Sequence, residues 1–398
     1  MKTRVVLALL VAVGAIRPCT VAMWLPPMWA KNAHSSDALF RFVENNRIGL
    51  IDASGHIIIP ARYDYVPWHQ DDFSEGLLRV ESNGEVRYID DKGESHLAPN
   101  YDMQFSSFSE GLLAYYVREP APDTRAANGC CRHLYGYLDR TGAPVIEAQH
   151  GAVEPFSEGL ASVREEASNF SLGRAGYVDK RGKWVILPSF AMAGPFRDGR
   201  AVVVRDGQCW FGLPPWKVVA PAVRRRGSCG DNPDIAEACP YGVIDSSGAF
   251  VVRPQHDFIR DYSEGLAAFR DGKRWGFLDR EGRVAIKPQF EEARGFSDNV
   301  AAVRVGEKWG YVSHSGEWVI SPAYSTVGDF SEDRAPVFAE PGWGFIDKSG
   351  AVVIPFQFLE ATPFAKGLAH VRTARDNYAW IKADGTVVFR YIDTRRTL

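Results

Sequence analysis

Apolar residues in this chain gather into short runs rich in aromatic and β-branched side chains, each bounded by Gly, Pro, Asp or Ser. Those are strand signals, and nothing beyond the first twenty-odd residues sustains the helical apolar period of about 3.6 residues. The runs also repeat. Trp275-Gly276-Phe277-Leu278-Asp279 returns as Trp309-Gly310-Tyr311-Val312-Ser313 and as Trp343-Gly344-Phe345-Ile346-Asp347, with the glycines 34 residues apart each time. A fixed period in this range marks a chain built from one supersecondary unit, each copy burying its neighbour's apolar face. Within a block the two aromatics point to one face and the aliphatic residue to the other, so both faces are apolar, as in a strand packed between layers. The glycine between the aromatics leaves room for close approach of another backbone or ring.

The unit has three parts in fixed order. The aromatic-Gly-aromatic strand comes first, then a glycine turn and a β-branched run with a proline, such as Val284-Ala285-Ile286-Lys287-Pro288-Gln289-Phe290. After a loop comes Phe-Ser-Glu-Gly-Leu or a variant such as Tyr262-Ser263-Glu264-Gly265-Leu266, leading into a third strand. Degraded copies run upstream to Gly49, giving eight copies and a partial ninth at Ala379-Trp380-Ile381. Asp precedes Gly by three residues in most copies, from Asp52 with Gly55 to Asp347 with Gly350. This is turn chemistry: the carboxylate accepts a backbone N–H two residues on, and glycine takes the left-handed position. Glu75, Glu110, Glu158 and Glu264 of the Ser-Glu-Gly blocks read as turn or solvent-facing residues, with a ligand-facing row as the alternative.

These blocks, together with Ile320-Ser321-Pro322-Ala323-Tyr324 and its equivalents, resemble the WG-repeat family, also called KWG repeats, found in bacterial proteins. The likeness covers nearly everything from residue 38 to 392, with Arg87 in place of the strand glycine, Ser313 in place of the turn Asp, and two insertions as departures. The resemblance implies an all-β repeat scaffold without enzymatic assignment that mediates binding. The expected fold is thus an all-β array of about eight to nine three-stranded antiparallel units, as an open superhelix or solenoid or as a closed propeller-like ring. The chain enters with Ala38-Leu39-Phe40 and leaves after Thr386-Val387-Val388-Phe389, two fragments that together would complete one unit.

Composition narrows the class. Net charge is −3 with both signs interspersed, which argues against a nucleic-acid partner. Lys2 and Arg4 precede the apolar run Val5 to Ile16, and Thr20-Val21-Ala22 forms a small-residue cleavage site. That is a secretory signal peptide over 1–22, with an uncleaved anchor and lipidation at Cys19 as alternatives, and it places the protein in the periplasm or outside the cell. Apart from this leader no segment reads as a membrane span. A linker over 23–37, the repeat domain over 38–392 and a tail over 393–398 follow.

Five cysteines remain after such cleavage: Cys130, Cys131, Cys209, Cys229 and Cys239. All lie in or beside the insertions at about 118–134 and 206–240, which suggests that they staple loops, and Cys229 with Cys239 is a possible disulfide. Cys130, Cys131 and His133 have metal-ligand character without metal-site spacing, so no metal is expected. Trp210 and Trp216 with Arg224, Arg225 and Arg226 form a candidate aromatic-cationic ligand surface, against the plainer reading of a loop packed by its own Trp residues. No nucleophile elbow, zinc-protease motif, phosphate loop or dinucleotide fingerprint occurs, so neither a catalytic residue nor a cofactor is expected. The function expected from sequence is an exported, non-enzymatic binding or scaffold module for a protein or an envelope polymer. The alternatives are an envelope glycan hydrolase or lyase and a purely structural spacer.

Overall fold

The computed structural model describes residues 38–66, 73–97, 101–103, 107–120, 131–166, 173–205 and 240–393. All of its regular structure is antiparallel β, and among the described residues no helix is long and apolar enough to cross a membrane. One unit shows the plan. Phe258–Ile259, Leu266–Asp271, Arg274–Asp279 and Val284–Phe290 form a four-stranded meander in chain order. Nine units, the first two of three strands and the rest of four, follow one another at 40–64, 78–97, 102–150, 152–190, 191–256, 258–290, 292–324, 326–358 and 360–392, called units 1 to 9 below. Units 4 and 5 share a seven-stranded sheet, because Trp184–Ala193 bends from one into the other.

Units 1 and 2 have the three strands that the sequence pattern shows, and units 3 to 9 add a fourth. The additional strand is only two residues long in most units, as at Phe258–Ile259, too short to display an alternation. The chain's first and last segments do not complete one shared unit either. Phe40–Glu44 pairs within unit 1, and Val387–Ile392 pairs within unit 9. The insertion at 118–134 is in part a lengthening of the sheet. Leu113–Pro120 and Cys131–Leu138 stay paired out to Pro120 and Cys131, which gives eight residue pairs where unit 6 has six.

The strand glycine has a definite partner. In unit 7 Trp309 pairs with Tyr324 but Tyr311 with Ile320, so the strand opposite Gly310 carries extra residues in a bulge. A β-carbon at Gly310 would lie 2.5 Å from the Ile320 carbonyl oxygen and 2.8 Å from the Pro322 nitrogen. Gly136, Gly176, Gly242, Gly276 and Gly344 face the same Ile or Val carbonyl in their own units. The turn aspartates behave as the spacing predicts: Asp279 Oδ1 accepts the N–H groups of Glu281 and Arg283, and Gly282 has φ of +77°.

No unit owns its core. Leu266, Ala268, Phe277 and Ile286 of unit 6 bury against Ala293, Phe296, Ala301 and Val303 of unit 7. Equivalent shared cores lie at every successive junction. A further core joins unit 9 to unit 1, where Leu368 meets Phe40, Phe42 and Ile51. Trp380 Nε1 donates to the Arg41 carbonyl at 2.9 Å, and Phe42 sits 4.9 Å from Phe389 between ring centroids. The turn glycine Gly55 lies on Val388, much as Gly316 of unit 8's predecessor lies on Ile286 of the unit before it. The order of contacts is cyclic, so the alternatives resolve to a closed array held at its ends by packing rather than by strand pairing.

His370 belongs to this closing junction. Its ring stacks on Tyr378 and Tyr391, and its Nε2 lies 2.7 Å from the Tyr391 hydroxyl. Burial, with Arg41 nearby, pushes its pKa down to about 4. The unfolded chain takes up this proton near pH 6.5 and the folded chain only near 4, so stability is complete above 6.5 and falls as pH drops through that window.

Two predictions follow from these contacts. Gly310→Ala should lose roughly 1–3 kcal/mol in urea unfolding, whereas Gly295→Ala, with only Ser263 Cβ at 3.6 Å, should stay within about 0.5 kcal/mol of the parent. His370→Gln should flatten the acid-side loss of stability between pH 6.5 and 4 by about 1–3 kcal/mol, read from melts at stepped pH.

Candidate functional site

The acidic residues of the Ser-Glu-Gly turns are engaged, and not with ligand. Each of these turns is a two-residue hairpin with both central residues in the left-handed region: Glu264 at φ +54° and Gly265 at +86°. Glutamate is a costly choice there, and its side chain supplies the compensation. Glu75 accepts the Gly111 N–H at 3.0 Å, Glu110 that of Gly159 at 3.0 Å, and Glu158 that of Gly199 at 2.8 Å. Asp198 takes Gly265, Glu264 takes Asn299, Asp298 takes Asp333 and Glu332 takes Gly367. Every bond reaches from one unit into the next. The neighbouring serines add a second link: Ser74, Ser109, Ser157, Ser263 and Ser297 donate to the carbonyls of Phe108, Phe156, Phe196, Phe296 and Phe330. Several of the acids also hold a cation, as Glu75 holds Arg140 at 3.0 Å and Asp198 holds Arg280 at 2.8 Å. The turn reading of these glutamates stands, with a joining role added to it.

Chemistry is free to vary in the two residues between the first strand and the turn. They are Glu154-Pro155, Gly194-Pro195, Arg260-Asp261, Arg294-Gly295, Gly328-Asp329 and Thr362-Pro363 in units 4 to 9. Backbone bonds fix the segment against the second strand: Glu154 N–H to Ser162, Gly194 N–H to Val202 and Arg260 N–H to Ala268. In units 4 to 6 the variable positions bring opposite charges together. Arg164, at the end of its strand, donates to the carbonyls of Gly173 at 3.0 Å and Ala191 at 2.6 Å. Asp261 lies 4.0 Å from Arg197 and beside Gly194, whose missing side chain leaves the space.

Glu154 is the unusual member. It keeps solvent-exposed surface, yet protein surrounds its carboxyl closely enough for desolvation to dominate its ionisation. Burial drives its pKa up, Arg164 opposes this, Asp261 adds to it, and the result is about 7. Arg164 is itself pushed down by burial, with Glu154 opposing. Tyr137 and Tyr177, both fully buried, donate to the carbonyls of Glu154 and Gly194 at 2.6 and 2.7 Å. The carboxyls of Glu154 and Asp261 and the guanidiniums of Arg164 and Arg197 form a charged cluster of a kind that can bind a polar ligand.

Sequence reading did not find this site, since Glu154, Arg164, Arg197 and Asp261 come from three units and match no motif. The signal available was the loss of repeat character at these positions. The residues singled out in sequence fall elsewhere. Trp210, Trp216, Arg224, Arg225, Arg226, Cys209, Cys229 and Cys239 lie outside the described residues, as does Cys130. His133 is exposed on the lengthened hairpin, packed edge-on against Tyr116 at 5.0 Å. Asp90, Glu94 and His96 have metal-ligand composition with ligand atoms within 4.8 Å of one another. Asp90 there accepts the Lys92 and Glu94 N–H groups, as the turn aspartates of other units do.

The nine-unit scaffold, its strand glycine and its joined turns define a β-repeat protein. Residues 48–85, 135–167, 176–209, 241–275, 275–309, 309–338 and 343–386 match the model of the WG containing repeat, more than half of the chain, and the protein belongs to that family. The unmatched stretch 86–134 holds Arg87 and the first insertion. No curated protein matches the chain. Among solved structures, BamB from Moraxella catarrhalis is similar at 10% identity and TM-score 0.34, over 74% of this chain and 86% of that one. KlHsv2 with its loop 6CD replaced by a Gly-Ser linker is similar at 9% identity and 0.32, over 58% and 76%. Kluyvelomyces marxianus Hsv2 follows at 10% and 0.28, over 38% of this chain and 58% of that one. At such TM-scores these likenesses carry no argument.

Glu154 yields a direct test. The Glu154 carboxyl should titrate near 7 by carbon-13 NMR, and Asp261→Asn should lower that midpoint by removing a like charge. A midpoint in the ordinary glutamate range would dissolve the site.

Proposed function

We propose that the chain is an exported binding or scaffold protein that takes a protein or an envelope polymer on one end of its sheets. The observation that carries this reading is the distribution of connection lengths between second and third strands. In units 6, 7, 8 and 9, and in units 1 and 2 where the equivalent connection joins the first two strands, it is a two-residue turn, such as Gly272-Lys273 or Asn83-Gly84. In units 3, 4 and 5 it spans 121–130, 165–174 and 206–240. Equivalent connections leave equivalent ends of their sheets, so three consecutive units devote their length to one side. Long connections on a rigid repeat scaffold are where recognition is built. The signal-peptide character of residues 1–22 supports export.

The reading is tested by capturing partners from envelope extract, split into protein and glycan fractions, with residues 23–398 as bait. A variant in which 121–130 and 206–239 are replaced by two-residue turns, and Trp210→Ala with Trp216→Ala, should lose the partner with little change in melting temperature. A partner retained by all these variants would move the contact surface elsewhere.

A second reading, a glycan hydrolase or lyase, is favoured by the raised Glu154 carboxyl beside Asp261. It requires turnover of an envelope glycan by the purified chain that Glu154→Gln reduces at least about 100-fold. Turnover indifferent to that change would remove it.

A further inference from the structure

Eight of the nine junction cores join consecutive units, and the ninth joins the ends of the array. The turn that would tie unit 9 forward reads Ala365-Lys366-Gly367-Leu368 in place of Ser-Glu-Gly-Leu. Lys366 keeps the left-handed backbone of its counterparts, with φ of +55°. Its ammonium is a donor only, so it cannot accept a neighbour's N–H as Glu264 or Glu332 does, and Ala365 has no hydroxyl to donate. Neither of the side-chain types that link earlier turns to the next unit is thus present at the turn facing the closing junction.

The core of that junction also holds the fewest fully buried residues of the nine, four against five between units 2 and 3. Only Phe40, Phe42, Ile51 and Leu368 are fully buried in it, while Trp380, Val388, Phe389 and Tyr391 pack against it partly exposed. The junction between units 6 and 7 buries eleven residues. Among the described residues no strand pairing crosses between unit 9 and unit 1, as at every other junction except that of units 4 and 5. The hydrogen bond from Trp380 Nε1 to the Arg41 carbonyl spans the gap in its place.

We propose that this junction is a built-in seam at which the closed array parts first. Opening there breaks no sheet, because both flanking units keep all their own strand pairs. It uncovers Phe40, Phe42, Trp380 and Phe389 and turns a closed set of units into an open one with two apolar ends. The state reached is a defined sub-global opening and not general unfolding.

The indole N–H of Trp380 reports on the seam directly. In the full chain labelled with nitrogen-15, its exchange with deuterium should be at least about tenfold faster than that of the Ala267, Ala268 and Phe269 amides, which exchange only when the core of units 5 to 7 opens. Ala365→Ser with Lys366→Glu restores both side-chain types and should slow the indole about tenfold or more, the scale of one hydrogen bond to a charged group. Equal rates for the Trp380 indole and those core amides in the parent protein would overturn the seam, whether or not the double variant folds. An indole rate unmoved in a folded double variant would overturn the role given to Ala365 and Lys366.

Discussion

Everything in this protein rests on the fact that a single unit cannot bury its own apolar surface. Each small meander is apolar on both faces, so Phe277 and Ile286 of unit 6 find their cover on Phe296 and Val303 of unit 7. A sheet with two apolar faces must have two neighbours. An open array leaves one such face bare at each end, and meeting of the ends covers both. Closure is therefore a requirement of the core, and the side-chain links between turns fix the orientation in which neighbours meet.

The links also explain a conflict of local preference. Glu75, Glu110, Glu158, Glu264 and Glu332 occupy left-handed positions that Asn or Gly would take more readily. A longer carboxylate spans the gap to the next unit's amide, which an Asn or Asp side chain reaches less far, although Asp198 and Asp298 manage it. Local strain and inter-unit bonding are coupled in one residue. The same arrangement leaves these acids little capacity for ligand, so the variable positions around Glu154 and Asp261 are where a polar site can form.

Much of the fold was legible because its signals are local. The strand glycine, the Asp-x-x-Gly turn and the proline-bearing strand each depend on residues a few positions apart, and their period gave the unit. The two-residue first strand was not legible, since two residues carry no alternation. The acceptors of the glutamates were hidden because Glu75 meets Gly111 in another unit and Glu110 meets Gly159 across an insertion. Closure was open for the same reason: Trp380 and Arg41 lie at opposite ends of the chain. The charged cluster was illegible because its members come from three units, and only the fold brings Asp261 near Arg197 and Glu154.

The cyclic order of contacts bears on how the chain reaches this state. Nearly every contact joins a unit to the one before or after it, so loop-closure entropy stays small as units are added along the chain. The contacts of the closing junction are the exception: Trp380 and Arg41, bonded there, are 339 positions apart. Units can therefore condense in the order in which they are synthesised, each new sheet templated by the last. The costly long-range encounter is left to a final step, in which two finished surfaces meet as they would in the docking of separate molecules, but at the high effective concentration of a single chain.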